Sequence, residues 1–435
     1  MSNEVILAVT VLGTLFFLLA SGVWIGISLL VVGFVALVFF TPAPAGSLLA
    51  TTVWDSSWGW ALTALPLFIW MGEILFRSRL SEDMFKGLAP WLGWLPGRLL
   101  HVNILGCGVM AAVSGSSSVT CATIGRMSMP ELRKRGYDEG MAIGTLAGSG
   151  TLGLLIPPSI MMIVYGITAQ VSIGRLFIAG FLPGFMMIGL FMAYTAGWSV
   201  LNPSRIPADD LKMRFGEKLW NARRLIPVIL LIVAVLGSIY GGIATPTEAA
   251  VMGVVGALVL AAATGSLTLE TFRESLLGAV RTSCMIGLIL VGAAFVTMAM
   301  AFTGLPATMA AWVNGLGLSP VGLILLLTLL YMVLGCFLDG VSMIVLTAPV
   351  VLPMVTAQRI DPLWFGIYIV LVVEMAQITP PVGFNLYVLQ NLTGRDIWTV
   401  TKASLPFFLL LCLGIVLITV WPDIVMVLPR QMTNA

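Results

Sequence analysis

Two apolar segments far apart in this chain are each interrupted by a pair of prolines. The first is GSGTLGLLIPPSI (148–160), with Pro157-Pro158, and the second is EMAQITPPVGFNLYVLQ (374–390), with Pro380-Pro381. Proline removes a backbone donor and clashes with the preceding turn, so both helices are expected to break there. Inside a membrane, freed backbone groups are tolerated only where they are buried in protein or line a cavity. The segments therefore predict two helices that are interrupted within a bilayer.

Composition supports the membrane location. Of 435 residues, 59% are hydrophobic and 9% are charged, whereas soluble domains carry about a quarter charged residues. The five cysteines show no CxxC spacing, so we expect small buried side chains rather than disulfides or metal ligands. The net charge of +2 gives no reason to expect nucleic acid as a partner. No basic stretch precedes the first apolar run, which predicts an uncleaved first span rather than a signal peptide.

The two breaks occupy matching positions in two halves of the chain. Pro157 and Pro380 are 223 residues apart, and about forty residues before each lies a second unusual segment. These segments are SGSSSVTCATIG (114–125) and DGVSMIVLTAPVVLP (339–353). Paired interrupted segments in corresponding positions point to the binding site of a secondary transporter.

We predict an all-α polytopic membrane protein built from two repeats, 1–201 and 225–435, joined by the polar linker 202–224. Each repeat contains five spans, including a broken helix that follows a re-entrant hairpin. The hairpins are predicted at 98–135 and 320–356, and the broken helices at 138–168 and 362–392. Windows of ~20 apolar residues place the remaining spans near 4–20, 23–40, 59–76, 176–200, 225–241, 247–264, 282–303 and 403–421.

Basic residues orient this arrangement. With the linker 202–224 on the cytoplasmic side, 18 of the 21 Lys and Arg residues are cytoplasmic, and Arg175, Arg359 and Arg430 are outside. This bias agrees with the positive-inside rule. An odd number of spans per repeat makes the second repeat inverted relative to the first, and both termini are then periplasmic.

Helix starts fit the same arrangement. Thr245-Pro246-Thr247-Glu248 predicts a capping box with proline in the first turn. Ser319-Pro320 and Asp361-Pro362 predict similar helix starts for the second hairpin and its broken helix. The stretch 267–283 mixes charged and apolar residues at helical spacing, and it is expected to lie along the membrane surface.

Five long motifs resemble those of a known family. They are the 114–125 and 148–160 segments, ATPTEAA (244–250), LGCFLDGVSMIVLTAPVVLP (334–353) and the 374–390 segment. They look like the large membrane (M, DctM-like) subunit of tripartite ATP-independent periplasmic (TRAP) transporters, over essentially the whole chain.

This resemblance implies an ion-transporter-type fold, sodium coupling and an elevator mechanism in the bacterial inner (cytoplasmic) membrane. It implies a small four-helix membrane subunit (Q-type) and a periplasmic substrate-binding protein (P-type) as partners. It also suggests an organic acid, often a carboxylate, as the substrate. In an elevator, the interrupted regions, about 98–168 plus 320–392, would form the transport domain, and the remaining spans would form the scaffold.

Two sodium sites are expected where the hairpin tips meet the helix breaks, because sodium prefers several oxygen ligands from hydroxyls and unwound carbonyls. The candidates for the first are Ser114, Ser118, Gly148, Gly150 and Thr151, and for the second Gly335, Asp339, Gly340, Ser342, Thr379 and Gly383. Two structural alternatives stay open. The small residues of the first tip could serve close helix packing, and Asp339 could cap the second arm of its hairpin.

The substrate is expected at the membrane midplane, because helix N-termini there direct partial positive charge at an anion. The candidate residues are Ser116, Ser117, Pro157, Ser159, Asp339, Thr379 and Asn385. These segments contain no arginine, so amides, hydroxyls and sodium would neutralise a carboxylate. C4-dicarboxylates, sugar acids, keto acids and sulfonates all remain open.

Two further carboxylates, Glu73 and Glu374, lie within apolar runs. We expect structural pairing near an interface for both, with a proton or ion relay as the alternative. A stand-alone sodium–carboxylate symporter would share the fold and need no partner protein. An enzyme is not expected, because the chain has one histidine and no paired acidic motif within its spans. An ATP-driven permease is also disfavoured, since no phosphate-binding loop with lysine is present.

Overall fold

The computed structural model of this chain describes residues 3–78, 80–207, 214–315, 317–336, 338–380 and 383–432. Within these ranges the regular elements are twenty-one α-helices and two short 3-10 helices, Trp60–Thr63 and Pro203–Arg205. The predicted all-helical membrane fold is confirmed.

The helices before the linker begin with two long apolar helices and end with a third. They are α1 (Asn3–Ala20), α2 (Ile25–Phe40), α3 (Ala45–Ser57), α4 (Ala64–Phe76), α5 (Leu80–Leu92), α6 (Leu100–Ser114), α7 (Ser117–Lys134), α8 (Glu139–Thr151), α9 (Ile160–Thr168) and α10 (Ile173–Leu201).

The helices that follow repeat much of this order. They are α11 (Phe215–Ala222) in the linker, α12 (Ile226–Tyr240), α13 (Pro246–Ala263), α14 (Leu269–Thr303), α15 (Leu305–Gly315), α16 (Pro320–Gly335), α17 (Gly340–Ala357), α18 (Pro362–Ala376), α19 (Phe384–Thr393), α20 (Ile397–Val420) and α21 (Asp423–Gln431).

The same sequence of elements occurs in both halves. A short helix (α5 or α15) precedes a helix pair (α6–α7 or α16–α17). Two short consecutive helices (α8–α9 or α18–α19) and then a long helix (α10 or α20) follow. Contacts between the halves are reciprocal. Helix α2 packs on α14 while α13 packs on α4, and α7 packs on α19 while α17 packs on α9. This exchange of contacts fits the repeat, and the inverted orientation of the second copy stays a prediction.

Five helices in the described part of the chain are long and apolar enough to cross a membrane. The number rises to seven if each of two bent helix pairs counts as one span: Ala45–Ser57 with Trp60–Phe76, bent by 57°, and Phe215–Ala222 with Ile226–Tyr240, bent by 50°. Helix α3, in the first pair, was not expected from the sequence.

Helix α14 corrects one expectation. The predicted surface helix at 267–283 and the predicted span at 282–303 form one continuous helix of 35 residues. No proline interrupts this stretch, and its polar start is held against α4. Arg77 of α4 forms an ion pair with Glu274, and the Trp70 indole N–H donates to the Ser275 hydroxyl at 3.3 Å. These contacts hold the first turns of α14 against α4, in line with the rest of the helix.

The long helices α10 and α20 pack on the interrupted helices. Helix α20 lies against α8, where a Cβ on Gly148 would lie 2.6 Å from the Phe407 ring, so only glycine permits this approach. Helix α10 contacts α6, α8, α9 and α18. Helices α2, α4, α13 and α14 instead pack mainly on one another. The interrupted helices therefore form one packed group together with α10 and α20.

Candidate functional site

The tip of the first hairpin closes on its own hydroxyl groups. Gly115, at φ +59°, ends α6 in the left-handed conformation, which glycine adopts without steric cost. The Ser114 hydroxyl lies 2.6 Å from the Thr120 hydroxyl and donates to the Ser116 carbonyl at 3.2 Å. Ser118 lies half-buried in the first turn of α7. The tip thus gathers several hydroxyl and carbonyl oxygens within two turns.

The first break separates α8 from α9 between residues 152 and 159. Near the end of α8, the Thr151 hydroxyl donates to the Gly148 carbonyl at 2.7 Å. Ser159 begins α9 as its N-cap and accepts a hydrogen bond from the Met162 amide at 3.4 Å. Pro157, also buried, lies in the intervening turn. Ser159 therefore has a structural role that is sufficient to explain its position.

This break contacts the hairpin tip directly. The Ile160 amide donates to the Gly115 carbonyl at 3.4 Å. A Cβ on Gly153 would lie 2.5 Å from the Ser116 carbonyl oxygen, so the two backbones touch at that point. Gly150 faces Cys121 of α7, whereas Gly148 faces α20 and only its carbonyl is turned to the break. The structure thus places the first hairpin tip against the first break, and the sodium site between them stays a prediction.

At the second hairpin, Asp339 is the N-cap of α17. Its carboxylate accepts hydrogen bonds from the Val341 and Ser342 amides at 3.0 and 3.3 Å, and from the Ser342 hydroxyl. The capping alternative for Asp339 is therefore present in the structure. Gly340 is in the first turn of the same helix and packs against Val373 of α18.

The second tip and the second break are also in contact. A Cβ on Gly335 would lie 2.2 Å from the Ala376 Cβ. The Cys336 thiol donates to the Pro380 carbonyl at 3.3 Å. Within the break, the Thr379 hydroxyl donates to the Met375 carbonyl, and the Gly383 amide donates to the Thr379 carbonyl. Pro381 of the second proline pair lies outside the described residues.

Each hairpin reaches the broken helix of the other half. The Ser117 hydroxyl of α7 donates to the Asn385 side-chain oxygen of α19 at 3.0 Å. Both side chains are buried, and the Asn385 amide nitrogen has no hydrogen-bond partner. In the reciprocal contact, Gly340 of α17 packs against Met161 of α9. Two of the predicted substrate residues, Ser117 and Asn385, therefore meet where the halves join.

Glu374 is a residue whose environment the sequence did not reveal. It was expected in a structural pair near an interface, and this expectation is wrong. The side chain in α18 is completely buried, and neither carboxylate oxygen makes a hydrogen bond of full geometry. The polar groups beside it are the Thr151 hydroxyl and the Leu155 amide of the first break. Glu73, by contrast, forms a pair with Arg77 at 3.2 Å.

At one end of the interrupted helices, Glu139 joins three elements. It accepts hydrogen bonds from Arg133 of α7 and Arg395 after α19, and Arg133 also donates to the Thr393 carbonyl at 2.7 Å. The hydrogen bond to Glu139 raises the pKa of the Arg395 guanidinium. Both arginines are exposed at this end, where salt screens such pairs.

A cavity of about 920 Å³ lies beside this assembly rather than within it. Asp55, Trp60, Gln170, Thr247 and Thr297 are among its lining residues. None of the residues predicted to bind substrate or sodium lines it in the described structure. Close packing is seen at two points of the predicted sites, where Gly153 meets the Ser116 backbone and Gly335 meets Ala376.

Comparison with protein families gives one match over nearly the whole chain. Residues 12–424 match the model of the tripartite ATP-independent periplasmic transporter, DctM component.

Individual relatives agree with this match. The C4-dicarboxylate TRAP transporter large permease protein DctM of Pseudomonas aeruginosa is 32% identical, over 92% of each chain. The sialic acid TRAP transporter large permease protein SiaM of Vibrio cholerae is 29% identical, over 95% of this chain and 96% of that protein. Among solved structures, the YdaH transporter of Alcanivorax borkumensis superposes with a TM-score of 0.62 at 17% identity, covering 88% of this chain and 89% of that one. The last similarity shows a shared fold.

Proposed function

This chain belongs to the DctM component family of the tripartite ATP-independent periplasmic transporters, and we propose that it is a large permease subunit that imports an organic acid together with sodium ions. It acts in the bacterial inner membrane as the membrane-embedded transport subunit of a three-part system. Its substrate and sodium sites lie where the hairpin tips meet the broken helices.

One observation carries this proposal: the buried Ser117–Asn385 pair joins the two halves and leaves the Asn385 amide nitrogen without a partner. Asn385 is in the first turn of α19, at the end of the helix where the helix dipole favours an anion. The backbone amides of Asn385 and Leu386 are already engaged, because they donate to the Gln377 and Gly383 carbonyls, so the side-chain amide is the available donor. A buried donor without a partner costs about 1–3 kcal/mol. A carboxylate oxygen of the substrate would satisfy it.

The substrate class follows from the same chemistry. The two relatives described above are named for C4-dicarboxylate and for sialic acid, both of which carry carboxylates. In this chain, the Asn385 amide nitrogen and the Ser116 hydroxyl would donate to one carboxylate, and Ser117, whose hydroxyl donates to the Asn385 side-chain oxygen, would orient that amide. Asp339, Thr379, Ser159 and Pro157 are held by caps and turns, so they shape the site around that group.

Sodium coupling is proposed from the donor set. The first tip and break offer the hydroxyls of Ser114, Ser118 and Thr151 with neighbouring carbonyls, and the second offers Asp339, Ser342 and Thr379. All are oxygen donors, which suit a hard monovalent cation. Bound sodium would supply positive charge beside the substrate carboxylate, which no arginine of these segments provides.

An elevator mechanism requires two bodies that slide past each other. We assign the interrupted regions, 98–168 and 320–392, to the transport domain. We also assign α10 and α20 to the transport domain, because both pack closely on the interrupted helices. This assignment differs from the sequence-based expectation, which puts these two helices in the scaffold. The scaffold is then built from α1, α2, α4 and α12–α14.

Two partner proteins complete the proposal: a small Q-type membrane subunit and a P-type periplasmic binding protein. Helices α1 and α2 expose a set of large apolar side chains that the chain itself does not cover, namely Phe16, Phe17, Trp24, Phe34 and Phe39. Exposed apolar patches of this kind mark protein or lipid contacts. We propose the small subunit for this surface, and bilayer lipid is the competing occupant.

The test is reconstitution of the chain in liposomes under an inward sodium gradient. Radiolabelled succinate and sialic acid serve as probes, with each partner protein present or absent. Uptake should require both partners and should stop when choline replaces sodium. Sodium-driven uptake by the chain alone would instead show a stand-alone symporter, and uptake unchanged in choline would contradict sodium coupling.

A further inference from the structure

Glu374 is a carboxylate without a partner at the junction of the two broken helices. It lies in α18 of the second half and is completely buried. Neither oxygen makes a full hydrogen bond, and no Lys or Arg of the described chain forms an ion pair with it. Its polar neighbours, Thr151 and Leu155, belong to the break in the first half.

An isolated carboxylate in such a place is unfavourable. Transferring a charged group from water to a low-dielectric interior without compensation is far more costly than burying a neutral polar group. Ionisable residues within membrane segments accordingly pair with one another or mark ion pathways. Glu374 has no counter-charge among the described side chains, so its charge is balanced from outside the chain, by a proton or by a bound cation.

We propose that Glu374 is the charged ligand of a monovalent-cation site that it forms with Thr151. The site rests on the sodium coupling proposed above, and it adds to the first sodium site a ligand from the second half of the chain. Without Glu374 that site contains only neutral oxygens: those of Ser114, Ser118 and Thr151 and the glycine carbonyls.

Two features of the first break favour a cation beside Glu374. Helix α8 ends at Thr151, and the C-terminal end of a helix carries partial negative charge. The Thr151 hydroxyl donates its hydrogen to the Gly148 carbonyl, which leaves its oxygen lone pairs available for a cation.

A single carboxylate also selects the charge of the cation. One monovalent ion neutralises Glu374, whereas a divalent ion would leave an uncompensated positive charge in the same apolar surroundings. Because Thr151 and Glu374 come from different halves, the bound ion would hold the end of α8 against α18. The cation would thus stabilise the packing of the two broken helices on each other.

The experiment measures sodium binding to the purified chain in detergent, by ²²Na⁺ binding and by the sodium-dependent rise in Tm, with choline chloride keeping the ionic strength constant. The variants are Glu374→Gln and Thr151→Val, which keep side-chain volume and remove a ligand. The matched control is Glu73→Gln, which neutralises a carboxylate that already has an arginine partner.

Glu374→Gln should weaken sodium binding by at least the roughly 10–100-fold that follows loss of a supporting ligand. Thr151→Val should weaken it less, and Glu73→Gln should leave it unchanged. In choline the Tm of Glu374→Gln should equal or exceed that of the wild type, because the buried charge is gone. A lower Tm in choline would instead indicate a purely structural role and overturn the proposal.

The outcomes separate the two proposals. If the wild type shows no saturable sodium binding, sodium coupling itself is wrong. If the wild type binds sodium and Glu374→Gln binds it equally well, sodium coupling stands and the proposed Glu374 site is wrong. This is the result expected if Glu374 is protonated and binds no cation. If Glu374→Gln does not fold, Thr151→Val decides, and unchanged binding by that variant overturns the site.

Discussion

The two interrupted regions share one order of helices and differ in the chemistry of their tips. The first tip, around Ser114 and Ser116, is neutral and bonds its hydroxyls to its own turn. The second tip begins with Asp339, whose carboxylate accepts three hydrogen bonds from the start of α17. The second region also contains the buried Glu374. In the corresponding segment of the first region, 139–168, the one acidic residue is Glu139, which is half-buried at the start of α8.

This difference teaches that the repeat in the fold does not extend to a repeat in the site. Hydroxyl groups are concentrated in the first region, whereas a carboxylate at the hairpin tip, Asp339, and one in the middle of the interrupted helices, Glu374, occur in the second. The two halves contact each other through polar residues of different type. The Ser117 hydroxyl of the first half bonds to Asn385 of the second, and the Thr151 hydroxyl of the first half lies beside Glu374 of the second. We therefore regard the two halves as joint contributors to shared sites rather than as two independent sites.

The largest effect is expected where the tips touch the breaks. Gly153→Ala and Gly335→Ala each place a Cβ against atoms that cannot move away easily, the Ser116 backbone and the Ala376 Cβ. Overpacking of this kind costs about 1–3 kcal/mol, and it displaces the tip from its break. Uptake should be lost in both variants while membrane insertion is kept, as judged by transport assays and size-exclusion profiles.

The control for these variants is Gly197→Ala in α10, because a Cβ at Gly197 meets no atom within 4 Å. It should transport normally. If only one of the two tip variants lost activity, the halves would not contribute jointly.

The second prediction concerns the charged tip. Asp339→Ala removes the N-cap of α17, which costs about 0.5–2 kcal/mol, and Asp339→Asn retains a cap of similar quality. We expect Asp339→Asn to keep the Tm near the wild-type value but to raise the half-saturating sodium concentration several-fold in uptake assays. If Asp339→Asn and the wild type had the same half-saturating sodium concentration, Asp339 would act only as the N-cap of α17 and would not bind sodium.

The third prediction concerns the neutral cap of the first break. Ser159→Ala should lower the Tm through loss of the cap on α9, with a cost of about 1 kcal/mol. The half-saturating sodium concentration should not change, because the hydroxyl is engaged by the Leu154 carbonyl and the Met162 amide. If Ser159→Ala raised the half-saturating sodium concentration as much as Asp339→Asn, the neutral first region and the charged second region would not differ in their contribution to sodium binding.

The smallest effect is expected at the exposed end of the assembly. Glu139→Gln breaks ion pairs with Arg133 and Arg395, which are screened by salt and individually weak. Uptake should stay close to the wild-type rate, and any decrease in Tm should be larger at low salt than at high salt. A loss of transport would show that this end of the transport domain has a functional role beyond holding three elements together.

Local signals in the sequence account for much of the fold. The Thr245 capping box and the helix starts at Pro320 and Pro362 are confirmed, because serine, threonine or aspartate before proline specifies a helix start through local bonds. Helices α8 and α9 likewise lie on either side of the Pro157-Pro158 pair. Proline and glycine act within one turn, so their effect is visible without tertiary information.

Tertiary packing accounts for what the sequence did not reveal. The continuity of α14 depends on Arg77 and Trp70, about two hundred residues away in the chain. Glu374 lacks a hydrogen-bond partner because of the residues of the first half that surround it. A single carboxylate in an apolar run of the sequence does not indicate which residues these are. The Ser117–Asn385 contact has the same origin, since two candidate residues can be selected by type without any indication that they touch.

The most direct test of joint sites is a double-mutant cycle on that contact. Ser117→Ala, Asn385→Ala and the double variant are compared by the half-saturating substrate concentration in sodium-driven uptake. A shared site predicts a coupling energy of about 0.5–3 kcal/mol between the two substitutions. Effects that add to within about 0.3–0.5 kcal/mol would show that the two halves act independently and would contradict the account.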